Sequence, residues 1–271
     1  MRSNTGGPDP LGTLDVDVPA PGGGRLRAER SGSGSPVVLL HGAGMDARLW
    51  DAVVPALARH HDVIRYDARG LGRSSLPKHP FDDVEDLCAV LDHFGLDRAA
   101  LVGLSMGGET VLDFALAHPG RVRALALVGA SVSGHDWPQD PQSSAYATAR
   151  RERDAAALAA LELSVWASLG RSAAGGALIE TMVADNAERR IAGEPFFAHF
   201  PDRDAESRLG EIAVPTLVVH GDRDHPEIAA IAERLVADLP DAHGVAVPEA
   251  DHYLPLRSPE RLVELLLGHL A

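Results

Sequence analysis

Short apolar runs punctuate the chain at residues 37–40, 100–102, 124–128 and 216–219, each closed by Gly or by His-Gly. Runs that are apolar at every position, rather than at alternate ones, predict strands buried on both faces, as in a parallel sheet. Between them the pattern changes to a spacing of three and four. Residues 48–59 place Leu49, Val53 and Leu57 on one stripe, and residues 82–94 do the same with Val84, Leu87, Leu91 and Phe94. Residues 109–118 and 227–239 behave alike, so strands alternate with helices, and right-handed crossovers build a doubly wound α/β sheet. A further short strand is expected at 244–247. The last helix, 261–270, is announced by Ser258 as N-cap and Pro259 at the first helical position. Near the start, 14–18 and 25–30 predict an antiparallel edge hairpin turning on Gly22-Gly23-Gly24.

The alternation stops at 131–209. That stretch offers no strand pattern but several helical ones, notably 142–169 and 174–191. It also holds six of the twelve aromatic residues: Trp137, Tyr146, Trp166, Phe196, Phe197 and Phe200. It reads as a helical insertion lying over the C-terminal edge of the sheet, where open α/β folds bind ligands. The core is then 1–130 with 210–271. Trp137, Trp166, Phe196 and Phe197 are the aromatics expected to line a substrate pocket, although any one of them also suits a core that seals helices together.

Composition excludes several classes. A 271-residue chain that is 45% hydrophobic suits one α/β domain plus the insertion, and no apolar run approaches the ~20 residues a membrane helix needs. A net charge of −14, with no basic stripe, argues against a nucleic-acid or anionic-membrane partner and leaves a small molecule. Residues 1–12 are polar and rich in Gly and Pro, and read as a flexible lead-in rather than a signal peptide. Cys88 is the single cysteine, so no internal disulfide can form; a reducing cytoplasm is the expected compartment and a small core residue the expected role. No metal is expected, because neither His-Glu-x-x-His nor paired-cysteine spacing occurs. The glycine pattern at 31–35 precedes a strand where a dinucleotide loop would follow one, so no cofactor is expected either. The sequence carries no mark of an oligomeric state.

The chemistry gathers around Ser105. The run Gly103-Leu104-Ser105-Met106-Gly107 follows an apolar strand pattern and opens a helical one, which predicts a sharp strand-turn-helix with the serine at its apex. Small residues two before and two after let strand and helix pass closely, and the Met106 N–H at the helix start suits a developing negative charge.

A serine hydroxyl needs a base to take its proton. Of thirteen histidines, His60, His61, His79, His93, His118 and His269 fall at expected helix ends or loops and suit solvated roles. His252 follows the strand at 244–247, in the loop ahead of the last helix, on the same sheet edge as Ser105. It is the favoured base, with His220 and His225 as alternatives. The base needs a carboxylate to fix its tautomer. Asp222 and Asp224 both follow the strand at 216–219; Asp224 is preferred because Asp222 is close enough to the strand end to cap the turn. Asp251 adjoins His252 in sequence, but neighbouring side chains diverge. One oxyanion donor is the Met106 N–H; the second is expected from His41-Gly42-Ala43-Gly44, with Ala43 preferred and Gly44 in reserve.

These marks together resemble the α/β-hydrolase superfamily over nearly the whole chain. Those shared are His41-Gly42 after the first parallel strand, Asp67-Ala68-Arg69-Gly70-Leu71-Gly72-Arg73-Ser74 after the next, the Ser105 elbow, Gly221-Asp222-Arg223-Asp224, and His252. The resemblance implies the α/β-hydrolase fold, a mostly parallel doubly wound sheet with an inserted helical cap at 131–209. The order Ser, Asp, His matches the family, and its Gly-x-x-Asp spacing supports Asp224. The elbow and the 67–74 run look most like the enol-lactonase and small-ester hydrolase branch. A serine speaks against the dehalogenase and epoxide-hydrolase branches, which carry aspartate there. The resemblance therefore implies a cofactor-free serine hydrolase cleaving a small or medium carboxylic ester or lactone through an acyl-enzyme on Ser105. The same parts also serve acyl transfer, perhydrolysis, C–C cleavage or a cyclisation step in secondary metabolism, or a ligand sensor with little turnover.

Overall fold

The computed structural model describes residues 12–138, 142–193 and 203–271. Its strands are β1 (Leu14–Pro19), β2 (Arg25–Gly32), β3 (Ser35–Leu40), β4 (His61–Tyr66), β5 (Ala99–Leu104), β6 (Val122–Val128), β7 (Thr216–Gly221) and β8 (Ala242–Val247). They form one sheet in the order β1-β2-β4-β3-β5-β6-β7-β8. The β1–β2 and β2–β4 pairs are antiparallel, and the pairs from β4 to β8 are parallel. The edge hairpin and the doubly wound sheet are therefore as the pattern predicts.

The central strands are buried on both faces because their alternate side chains serve two hydrophobic layers. Val37 and Leu39 of β3 join one layer, with Trp50, Leu57, Leu262 and Leu266. Val38 and Leu40 join the other, with Leu87, Val111 and Phe114. After β3 the chain turns to the first layer, and after β5 to the second. The C-terminal ends of β3 and β5 thus flank a switch point, where a crevice opens at the strand ends.

Three departures from the pattern have physical causes. β4 escapes the apolar-run signal because Asp62 and Arg65 interrupt it. Their charges are met across the sheet: Arg30 donates to Asp62 at 2.7–2.8 Å, and Arg65 to Glu29 at 2.9 Å. His61, expected to be solvated, is buried in β4 with 6% exposure. The helix expected at 48–59 breaks into a 3-10 turn, Ala47–Trp50, and one turn of helix, α1 (Val54–Leu57), because Pro55 sits in the first helical turn and cannot donate to a preceding one.

The remaining helices of the core are α2 (Asp83–His93) and α3 (Met106–Ala117), and α7 (Pro226–Asp238), α8 (Leu254–Arg257) and α9 (Pro259–Leu270) follow the insertion. Ser258 precedes α9, but its side chain makes no capping hydrogen bond.

Between β6 and β7 lie α4 (Ser143–Glu152), α5 (Ala155–Trp166), α6 (Gly176–Ala192) and a 3-10 segment, Ala205–Glu211. The helix expected over 142–169 is interrupted where Arg153 turns left-handed, with φ 56°, and Asp154 caps α5 by accepting from Ala157 N at 2.9 Å. These helices build no separate core. Leu158, Ile179, Met182 and Val183 pack into the same layer as Met45, Leu49 and Tyr253. Asn186, fully buried, stitches α6 to the body: its Nδ2 donates to Asp46 Oδ2 and its Oδ1 accepts from Gly72 N, both at 2.8 Å. Residues 1–11 of the lead-in, Phe196, Phe197 and Phe200 lie outside the described residues. Among those described, no helix is long and apolar enough to cross a membrane.

Candidate active site

One residue, Ser105, separates β5 from α3. Its backbone sits at φ 53°, ψ −119°, a conformation that L-residues avoid unless the surroundings enforce it. The enforcement is visible. A Cβ on Gly103 would lie 2.2 Å from the Gly107 carbonyl oxygen, and one on Gly107 would lie 2.6 Å from that of Leu40, so only glycine fits on either side of the serine. Ser105 N donates to Val128 O at 3.1 Å, and Ser105 O accepts from Gly108 N at 2.8 Å and Ser131 N at 3.2 Å. The apex is thereby clamped to the end of β6.

His252 lies in the loop between β8 and α8, and Asp224 in the loop between β7 and α7. His252 Nδ1 is 3.0 Å from Asp224 Oδ1 and 3.1 Å from Oδ2, and both side chains are 2% exposed. A carboxylate only accepts, so Nδ1 carries the proton and Nε2 keeps a lone pair. Asp224 Oδ1 also accepts from His225 N at 2.7 Å. The two halves of the site meet at the end of β6. Gly129, the residue after the one that holds Ser105, stands so close that a Cβ there would lie 3.1 Å from Asp224 Oδ2 and 3.3 Å from His252 Nδ1.

Asp222, His225 and Asp251 each have another partner. Asp222 Oδ1 accepts from Glu249 N at 2.8 Å, which ties it to the loop after β8. His225 is the N-cap of α7, its Nδ1 accepting from Glu227 N at 3.2 Å. Asp251 points away from His252 into a buried pair with Arg257, whose Nε and Nη2 donate to it at 3.0–3.1 Å; both side chains are 1% exposed.

Met106 heads α3, where the first N–H groups have no acceptor within the helix. After β3, Met45 N donates to Gly42 O at 3.2 Å and closes a turn in which the Ala43 and Gly44 N–H groups take no part. A Cβ on Gly42 would lie 3.1 Å from Ser105 Cβ, so this turn runs beside the serine. His41 supports it: Nδ1 donates to Gly42 O and Nε2 accepts from Ala68 N, both at 2.9 Å.

Of the aromatics expected to line a pocket, Trp166 reaches the site. Its ring, at the end of α5, lies 4.5 Å from that of His252 and 5.4 Å from that of His225. Trp137 is 40% exposed and stands edge-on to His135 at 5.6 Å, so its ring contact is at the neck of the insertion. A separate charged cleft of about 690 Å³ lies between the 67–73 loop and α6, with Asp46, Arg48, Asp67, Arg73 and Arg189 in its wall. None of its lining residues belongs to the Ser105, His252 and Asp224 set. Among the described residues no group of three or more His, Cys, Asp or Glu side chains could hold a metal ion.

Ion pairs that no local spacing predicts complete the surroundings. His135, just after β6, bridges Glu206 at 3.0 Å and Glu227 at 2.8 Å; burial pulls its imidazole pKa down, but the two carboxylates outweigh that and raise it above the ordinary value. Arg190 of α6 pairs with Glu162 of α5 at 2.5 Å. These pairs bridge residues 28 to 92 positions apart, so no local spacing reports them.

Residues 35–259 match the family described as alpha/beta hydrolase fold. The chain belongs to this family. It is 33% identical over 276 residues to the polyketide synthase ThaQ of Burkholderia thailandensis, a match covering 97% of this chain but only 13% of that much longer protein. It is 32% identical over 263 residues to the pimeloyl-[acyl-carrier protein] methyl ester esterase of Chromobacterium violaceum, covering 90% of this chain and 98% of that one. Among solved structures it resembles a thermophilic esterase from Thermogutta terrifontis with TM-score 0.79 and 27% identity, over 95% of this chain and 98% of that one.

Proposed function

We propose that this chain is a cofactor-free serine hydrolase that cleaves a small or medium carboxylic ester or lactone. Ser105 Oγ attacks the carbonyl carbon while His252 Nε2 takes its proton. Asp224 holds the Nδ1 proton in place and stabilises the imidazolium that forms. The Met106 and Ala43 N–H groups receive the negative charge on the carbonyl oxygen, and loss of one such donor typically costs ~10²–10³ in turnover. The tetrahedral intermediate collapses, His252 returns its proton to the departing alcohol oxygen, and an acyl group remains on Ser105. Water, deprotonated by His252, then releases the acid. The insertion serves as a cap, with Trp166 forming the wall beside the base.

The observation that carries this reading is the convergence at β6: Val128 holds the strained Ser105 backbone, and the next residue, Gly129, abuts the His252–Asp224 pair. A second reading is favoured by the relatives. One is named as a polyketide synthase and another as an esterase of an acyl-carrier-protein ester, which supports a substrate whose acyl chain arrives on a carrier protein. The test of the first reading is turnover of p-nitrophenyl butyrate and ε-caprolactone by the parent protein and by Ser105→Ala. Hydrolysis by the parent, falling by at least about 10³ in the variant, is expected. Equal rates in the two proteins overturn it.

A further inference from the structure

The turn after β3, which carries the Ala43 N–H, is walled on two sides. Toward the core, His41 holds the Gly42 carbonyl, and Gly42 abuts Ser105. Toward the insertion the wall is α6. Asn186 and Arg190 stand four residues apart, so they share one face of that helix. Asn186 Nδ2 donates to Asp46 at 2.8 Å, just past the end of the turn. Arg190 meets its middle. A Cβ on Gly44 would lie 3.3 Å from Arg190 Nη1 and 3.8 Å from Glu162 Cδ, so the guanidinium packs against the Gly44 backbone.

Arg190 is not free to swing away. Its Nη1 donates to Glu162 Oε1 at 2.5 Å, and the two side chains are 14% and 11% exposed. Glu162 is the one charged residue of α5, whose other positions are Ala, Leu, Ser, Val and Trp. A buried carboxylate there needs a cation, so the pair neutralises itself. Apolar residues would seal α5 onto α6 equally well. What the pair adds is a planar group fixed in place beside Gly44. Gly44 has no side chain to anchor the turn, and its φ of 69° is one that other residues avoid.

We infer that Glu162 and Arg190 are positioning residues of the oxyanion turn, holding the Ala43 N–H where negative charge develops on the carbonyl oxygen. This rests on the hydrolase reading, in which that N–H is a donor. The insertion then completes the site from two helices. Trp166 of α5 stands beside His252, and Arg190 of α6, locked by Glu162 of α5, stands behind the turn. An oxyanion donor acts through its distance to the charge, so a small drift of the turn costs turnover and leaves substrate binding largely intact.

The experiment compares the parent, the double variant Glu162→Leu with Arg190→Met, and Glu162→Gln. Each is assayed with p-nitrophenyl butyrate, inhibited with 1,1,1-trifluoropentan-2-one, and melted under circular dichroism. The double variant exchanges the pair for apolar groups and should melt near the parent. Glu162→Gln keeps an acceptor for Nη1 but strands a largely buried cation, and should melt lower. Activity is expected in the opposite order. The double variant should lose at least about tenfold in kcat with KM within about twofold, whereas Glu162→Gln should retain at least about a third of the parent's kcat. In the ketone complex Ser105 Oγ adds to the carbonyl carbon, its proton passes to His252, and the negative charge rests on the former carbonyl oxygen. The double variant should therefore also bind the ketone at least about tenfold more weakly. Activity that follows melting temperature, a kcat loss below about tenfold in the double variant, a loss carried by KM, or an unchanged ketone affinity each overturn the inference while the parent still hydrolyses the ester. A parent without turnover overturns the hydrolase reading, and this inference with it.

Discussion

Replacing Arg257 by Met probes the support beneath the proposed base. The Arg257 guanidinium makes three contacts of 3.0–3.1 Å with Asp251, and its Nη1 donates to Ala174 O at 2.7 Å. Asp251 also accepts from Tyr253 N and from Leu169 N, each at 3.1 Å. One buried pair thus ties the turn that carries His252 to residues 169 and 174 of the insertion. Arg257→Met leaves an unpaired carboxylate at 1% exposure, which typically costs about 3–5 kcal/mol. The two remaining backbone donors keep the loss toward the lower end, while the orphaned Ala174 carbonyl adds about 1 kcal/mol. For a chain of this size the melting temperature should fall by roughly 10 °C. Urea unfolding followed by circular dichroism measures the loss, and kcat/KM at 25 °C should drop between about tenfold and a hundredfold as the imidazole loses its placement. Asp251→Asn combined with Arg257→Gln removes both charges and keeps an acceptor for the backbone, so it should cost less than Arg257→Met alone. A loss below about 1 kcal/mol in the single variant, or a double variant less stable than the single one, would refute the reasoning.

The same geometry sets two further outcomes. Gly129→Ala places a methyl group 3.1 Å from Asp224 Oδ2 and 3.3 Å from His252 Nδ1 at a backbone φ of 48°, so kcat should fall about tenfold or more, with stability lower by about 1–2 kcal/mol; unchanged kcat in a folded variant would contradict the contact. Burial lowers the His135 imidazole pKa, but Glu206 and Glu227 outweigh it and raise the value, with Arg234 3.8 Å from Glu206 as the neighbouring cation. A folded-state value raised above the ordinary one means that the bridge's contribution is full below pH ~6.5 and is lost as pH rises through the raised value. The melting-temperature gap between the parent and His135→Gln should therefore shrink from pH 5.5 to pH 8.5, and a gap that widens with pH would show the sign to be wrong.

The fold was legible wherever burial is uniform. β3, β5, β6 and β7 lie between two layers, so their central positions are apolar and the run announces itself. β4 pairs with the antiparallel β2, and its Asp62 and Arg65 answer charges on that strand; such complementarity is invisible until the strands are side by side. The helix at 48–59 has a sound apolar stripe, and Pro55 within it is what stops it. The proposed trio, Ser105, Asp224 and His252, stands out in the sequence because each follows a strand end on one sheet edge, and topology alone gathers strand ends. The preference for Asp224 over Asp222 rested on capping of the turn after β7; Asp222 Oδ1 instead accepts from Glu249 N, in the loop after β8. Asp251–Arg257, Glu162–Arg190 and the His135 bridge were not legible, because each joins elements whose adjacency depends on how the insertion folds back. Trp166 reaches His252 for the same reason that Trp137 does not: the first ends α5, while the second remains at the neck.

The claim beneath all of this is that Ser105 is made nucleophilic by His252 and Asp224. Treating the parent protein, Ser105→Ala and His252→Gln with a fluorophosphonate, and mapping the adduct by peptide mass spectrometry, tests it directly. The account predicts one adduct on Ser105 in the parent, none in Ser105→Ala, and labelling slowed by at least about 10³ in His252→Gln. An adduct on another residue, or labelling of Ser105 at the parent rate without His252, would contradict it.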